Sequence, residues 1–344
     1  MRRPGMAKLA EAAGVSLATV DRALNGRERL KPETLAHIVA VARQIGHPAA
    51  QRFASGPKPG GSRRFGVVLH KQGQEFYKAF AEELRRAVAG EHAVAGSLVL
   101  EFSSSQSPSE MAGVLRKMAD RCDVLAATAV NHPEVTAAVA DLRARGIAVF
   151  SLLSDFAPGA VAGYLGLDNL KVGRTAGWVM DLAAQRNGGP GSVAVFVGGT
   201  RWHGHELRDQ GFRAFLRDHA PQLTVLDTIV NLETRQLTYE AVTALLSRRP
   251  GLRGIYVAGG GMEGAIAALR DARAGGRVAL VVSALTPESR RGLRGGQVTM
   301  VIDTPLEKLC RELFRRMAGV VPSASVVNHA PLFLPPDIHV RESL

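Results

Sequence analysis

Two periodicities divide the chain. Up to residue 47 apolar residues recur at helical spacing; from Phe65 onward short apolar runs alternate with helical stretches. In the first part, Leu9, Ala10 and Ala13 mark one helical face. Gly14 stops that helix, because glycine takes a positive φ without steric cost. Ser16 can cap the next helix through its hydroxyl. Around that helix Val15, Val20, Ala23 and Leu24 are expected inward, and Leu17, Ala18, Asp21 and Arg22 outward. A third helix is expected from Pro32 to Ile45, with Leu35, Ile38 and Ala42 inward and Gly46 ending it. The run Gly56-Pro57-Lys58-Pro59-Gly60-Gly61-Ser62 reads as a linker within residues 48–64.

In the second part, apolar runs at Phe65–Leu69, Ser97–Phe102, Val124–Ala129, Ala148–Leu153 and Tyr164–Leu167 predict buried parallel strands, with helices between them. A second set follows at Val193–Val197, Thr224–Val230, Gly254–Ala258, Val278–Ser283 and Thr299–Ile302, again spaced by helices. Two doubly wound lobes with a cleft between them satisfy this pattern. The expected organisation is an all-α helix-turn-helix headpiece on residues 1–47, a hinge or linker on 48–64, and an α/β two-lobed domain on 65–344.

Charge sharpens the division. The chain of 344 residues carries a net +12, and residues 1–64 hold 12 Lys/Arg against 4 Asp/Glu, whereas the other 280 hold 31 against 27. An excess of eight cations on the small front segment calls for a polyanionic partner. Cys122 and Cys310 show no metal-ligand spacing, which fits a reducing cytoplasm. No apolar run long enough for a membrane span or a signal peptide occurs.

The pieces Leu9-Ala10, Ala13-Gly14-Val15-Ser16, Ala18-Thr19-Val20, Arg22 and Leu24-Asn25, with Pro32-Glu33-Thr34 opening the third helix, resemble the headpiece of the lac-repressor (LacI/GalR) family of bacterial transcriptional regulators. The resemblance implies a type I periplasmic-binding-protein-like effector domain behind the head, a homodimer on palindromic operator DNA, and control by a small effector. Arg22 is the expected guanine reader, since a long forked donor grips that base bidentately. Leu17 and Ala18 occupy positions that the family uses against base edges; being apolar, they suit thymine methyls. Ser16, Thr19 and Asn25 are expected near phosphates or in the frame, and Asp21 beside Arg22 or another head residue. The family's hinge helix wedges a leucine into the minor groove. Here the wedge position falls on Ala54 or Ser55, and Phe53 is the expected substitute.

For the effector, doubly wound lobes place ligands at the carboxyl ends of strands. His70, Phe76 and Tyr77 follow the first strand, Asp155 the fourth, and Trp202, His203, Glu206 and Arg208 the first strand of the second lobe; Asn231 and Asp303 end later strands. Aromatic faces, carboxylates and a forked arginine suit a sugar or polyol. Arg208, in Arg-x-x-Gly-Phe, matches the family's sugar-contacting arginine. Two rival chemistries arise. Gly259-Gly260-Gly261-Met262-Glu263-Gly264 spells G-x-G-x-x-G, so a nicotinamide-dependent oxidoreductase competes, although no acid for a ribose ends the next strand. His203-Gly204-His205-Glu206 could hold a metal but lacks a third ligand at a recognisable spacing. The expectation is a regulator with no cofactor, metal or catalytic residue; a solute-binding protein on the same fold is the other alternative.

Overall fold

The computed structural model describes residues 5–25, 32–45, 47, 63–90, 95–186, 189–320 and 330–344. They fall into two compact units that divide near Gly61, each taken here by itself.

In the front unit, α1 (Met6–Ala12), α2 (Leu17–Asn25) and α3 (Pro32–Gln44) surround a small core of Leu9, Ala10, Ala13, Val20, Ile38, Val41 and Ala42. Gly14 turns the chain at φ +64°, the left-handed conformation expected of it. The Ser16 hydroxyl accepts from Thr19 N–H at 3.1 Å, which caps α2, and pairs with Thr19 Oγ1 at 2.7 Å. His37 ties α3 to the turn through Ala13 O at 3.1 Å. Losing a cap hydroxyl costs about 1 kcal/mol. Ser16→Ala should therefore lower the melting temperature of an isolated headpiece by several degrees, readable by circular dichroism. An unchanged melt would mean that the cap contributes nothing.

The second unit holds two sheets. Strands β1 (Arg63–His70), β2 (Gly96–Ser103), β3 (Val124–Ala127), β4 (Val149–Leu152) and β5 (Gly163–Leu167) join β12 (Leu332–Leu334) in the first, ordered β12-β5-β4-β3-β1-β2 and parallel throughout. The second is ordered β13-β11-β10-β9-β6-β7, from β6 (Gly191–Val197), β7 (Leu223–Val225), β9 (Leu252–Val257), β10 (Ala279–Val282), β11 (Met300–Asp303) and β13 (Asp337–His339). The run expected as one strand at 224–230 is two: Leu226 to Thr228 interrupt it, and β8 (Ile229–Val230) pairs separately with β6. β13 runs antiparallel to β11 and was not foreseen in the pattern.

Helices α4 (Glu75–Ala89), α5 (Pro108–Lys117) and α6 (Pro133–Ala144) connect strands of the first lobe. Helices α7 (Asn169–Arg186), α8 (His203–His219), α9 (Arg235–Arg248), α10 (Met262–Asp271) and α11 (Pro287–Arg294) belong to the second, and α12 (Leu306–Gly319) returns to the first. Three segments therefore cross between the lobes: Asp168, Thr304-Pro305 and Pro335-Pro336. The central strands are apolar on both faces because helices cover both sides; Phe65 and Phe314, for example, meet edge to face at 5.3 Å.

Helices α7 and α8 touch backbone to backbone. A Cβ on Gly173 would lie 2.0 Å from Arg208 O, and one on Gly211 would lie 2.1 Å from Leu170 O. Only glycine permits this approach, and it sets where the first turns of α8 stand.

Candidate functional site

The carboxyl ends of both sheets face a cavity of about 90 Å³ lined by His70, Phe76 and Tyr77 from one lobe and Trp202, Arg208 and Glu233 from the other, among others. Three strand ends around it leave four residues other than glycine in left-handed backbone: Lys71 (φ 51°), Leu153 (φ 64°), Leu232 (φ 48°) and Glu233 (φ 55°). Each such conformation costs on the order of 1 kcal/mol, and clusters of them mark functional sites.

Arg208 is buried on α8. Its Nε donates to Asn169 Oδ1 at 2.7 Å and its Nη1 to Ala258 O at 2.6 Å. Asn169 is itself fixed by donating to Leu153 O and Tyr164 Oη, both at 3.1 Å. The guanidinium is thus held by two neutral acceptors while its remaining N–H groups stay available for a ligand. His70 stacks on Trp202 with ring centroids 4.6 Å apart and leans on Tyr77 at 4.3 Å. Burial lowers the His70 and His205 pKa values, the latter to about 4, so both rings are neutral near pH 7.

Glu233 joins the lobes. Its Oε2 accepts from Lys71 Nζ at 2.6 Å, and Lys71 also donates to Leu232 O at 2.9 Å. Gln74 donates to Glu233 O at 3.0 Å, and Gln106 accepts from the Trp202 indole N–H at 3.0 Å. Burial alone would push the Glu233 carboxyl up, but the Lys71 ammonium bonded to it at 2.6 Å helps to hold it well below the usual carboxylate range. These bonds clasp the cleft shut with the protein's own groups.

The same carboxylate explains the glycine-rich turn. Gly260 N–H donates to Glu233 Oε1 at 3.1 Å, and a Cβ on Gly259 would lie 2.9 Å from that oxygen. The anion at this helix N-terminus is therefore an internal glutamate, where a dinucleotide would need its phosphate. Gly261 (φ +89°) and Gly264 serve packing, since a Cβ on Gly264 would lie 2.1 Å from Arg235 O.

Of the expected effector residues, His70, Phe76, Tyr77, Trp202 and Arg208 line the cavity. Asn231 stands behind it, bonding Gly260 O and Thr238 Oγ1 at 2.9 Å and Glu233 N at 2.8 Å. Four expectations need correction. Asp155 folds onto its own loop, accepting from Ser151 Oγ at 2.6 Å and Phe156 N at 3.0 Å. His203 and Glu206 pair with each other at 3.4 Å on the exposed side of α8, while His205 turns inward to lie 3.6 Å from Glu233. His203 and His205 therefore do not converge on one point, and no group of three potential metal ligands occurs among the described residues. Asp303 sits at a lobe crossing, accepting from Thr304 N at 2.9 Å, 3.9 Å from His339.

Asp303 has a measurable consequence. Burial, only partly opposed by bonds from Leu285 and Thr304 N–H, pushes its carboxyl up to about 6. A carboxyl raised on folding makes the folded state bind more protons, so stability falls as pH rises from about 4 to about 6. Asp303→Asn should remove that slope and gain on the order of 2 kcal/mol at pH 7. Urea titrations at pH 4.5 and 7 check this; a mutant-to-parent difference that does not change with pH would refute it.

In the head, Leu17 and Ala18 are exposed at the start of α2, with Leu17 at 52%, and Asp21 is half-buried. The side chains of Arg22 and Asn25, and the whole of Phe53, lie outside the described residues. Sequence reading missed Glu233, Gln74 and Asn169, and weighed His205 only as a metal ligand. Glu233 and Asn169 each stand within three residues of a strand end, the position where such sites form.

A three-helix head in front of two facing α/β lobes defines a ligand-sensing DNA-binding protein. Residues 6–48 match the model of bacterial regulatory proteins of the lacI family, and residues 65–318 match the periplasmic binding protein domain. The chain belongs to the lacI family of transcription regulators. No curated protein matches the sequence. Similar solved folds include a solute-binding protein of an ABC transporter from Burkholderia graminis in complex with D-arabinose, 17% identical over 82% of this chain and 96% of that one, with a TM-score of 0.72. GanP, a glucose-galactose binding protein from Geobacillus stearothermophilus, is 16% identical over 83% and 99%, at 0.71. A solute-binding protein from Agrobacterium vitis bound with α-D-tagatopyranose is 17% identical over 82% and 95%, at 0.70. Among the described residues no helix is long and apolar enough to cross a membrane.

Proposed function

We propose that the protein is a cytoplasmic, homodimeric repressor whose operator affinity falls when a small sugar or polyol occupies the cleft. The observation that carries the effector class is Arg208: a buried, forked donor with free N–H groups beside the Trp202 and Tyr77 rings, at the ends of strands from both sheets. Stacking on C–H faces and paired bonds to neighbouring hydroxyls are what such a set offers. The sugar-bound relatives of the fold support the same class. Dimerisation follows from the headpiece, because one head reads one half-site and a palindrome needs two. Leu17, Ala18 and Arg22 on α2 are the proposed base readers, and Phe53 the proposed minor-groove wedge.

The test is a fluorescence-anisotropy titration of the protein's own promoter and of random duplex, at several salt concentrations, with and without candidate sugars. Operator preference and its loss on adding an effector support the reading. Equal affinity for both duplexes, with the same steep salt slope, would exclude sequence-specific regulation.

A further inference from the structure

The cavity's charges are unevenly matched. Three carboxylates line it, Glu75, Glu233 and Glu263, against one guanidinium, Arg208. Two of the three have cations of their own: Glu233 holds Lys71 at 2.6 Å and Glu75 holds Lys78 at 2.8 Å. Glu263, half-buried in the first turn of α10, has no cation within ion-pair distance among the described residues. Burial raises its pKa, a bond from its own backbone N–H opposes this in part, the Glu288 and Glu75 carboxylates raise it further, and Arg235 acts only from a distance. Its missing counter-charge is open to the cavity.

A second and independent vacancy in the bonding lies opposite. His70 is 2% exposed, and its Nε2 has no hydrogen-bond partner, because Glu233 Oε2 stays 3.8 Å away. The other nitrogen, Nδ1, pairs with Thr128 Oγ1 at 3.1 Å. A buried ring nitrogen without a partner costs on the order of 1 kcal/mol or more until a ligand group meets it. An incoming anion would meet Arg208, but in a small closed space shared with the ionised Glu233 and two further acids.

We infer that the effector is a polyhydroxylated ring bearing a protonated amine, with Glu263 taking the ammonium, Arg208 the hydroxyls and His70 Nε2 one further polar hydrogen. The inference rests on the sugar class proposed above and narrows it. Sugar acids and sugar phosphates are excluded by like charge.

Three matched series test it by calorimetry at pH 7: glucosamine, glucose and glucuronate; galactosamine, galactose and galacturonate; mannosamine, mannose and mannuronate. In whichever series binds, the amine should bind at least about tenfold tighter than its parent, the scale of one charge-assisted bond, and the acid should give no heat. A parent or an acid that binds as tightly as its amine overturns this inference and leaves the sugar class standing. Silence from all nine compounds, with operator binding intact, overturns the sugar class and this inference together. Glu263→Gln provides the second reading: the ratio of amine to parent affinity should collapse towards one. An undiminished ratio in a variant that melts normally would show that another group takes the charge.

Discussion

Arg208→Ala is expected to abolish effector binding and to lower the melting temperature of the ligand-free protein, while operator affinity without effector is retained. The guanidinium bonds two buried acceptors, Asn169 Oδ1 and Ala258 O. Truncation strands both, and each stranded buried group costs about 1–3 kcal/mol. The combined loss is therefore on the order of 4 kcal/mol, or roughly 10 °C for a unit of this size. Arg208→Lys should recover little, since one ammonium cannot span the two acceptors in the geometry of a planar fork. Differential scanning calorimetry with and without effector separates the parts. A normal ligand-induced rise in the alanine variant would mean that the sugar is held elsewhere.

Gly173→Ala should be nearly as damaging, for a different reason. The added methyl would stand 2.0 Å from Arg208 O and 2.9 Å from Phe212 N. Both are backbone atoms, so no rotamer change relieves the clash and the two helices must separate. Overpacking of this kind costs about 1–3 kcal/mol, occasionally more. The helix that would be displaced carries Arg208, so effector affinity should fall along with stability. Gly177→Ala is the milder control: its Cβ would stand 3.0 Å from Phe215 Cβ and 3.2 Å from Phe212 O, a crowding that a helix shift of a few tenths of an ångström relieves. Equal losses in the two variants would show that backbone proximity does not set the site.

The periodic elements were legible because buried parallel strands read as unbroken apolar runs, as from Phe65 to Leu69. The short stretch Asp337–His339 was not, because an edge strand of three residues has no period to detect. In the cleft, the arginine and the aromatic residues declared themselves by type and by position after a strand. Glu233 did not, since its importance comes from a left-handed turn that aims it at the Gly259–Gly261 loop. Asp155 and Asp303 carried the right chemistry at strand ends but satisfy their own loops. The distinction depends on bonds to nearby backbone N–H groups, which spacing in the sequence does not reveal.

The last ten residues have a use that their position would not suggest. β13 pairs with β11 along what would otherwise be the bare rim of the second sheet, after the chain has already contributed β12 to the first. Shortening the protein after Leu334 would sever one of three tethers between the lobes and uncover a row of unpaired amides and carbonyls, an invitation to aggregation. The C-terminus is thus a seam, and a clipped version would be a poor stand-in for the full chain in any binding assay.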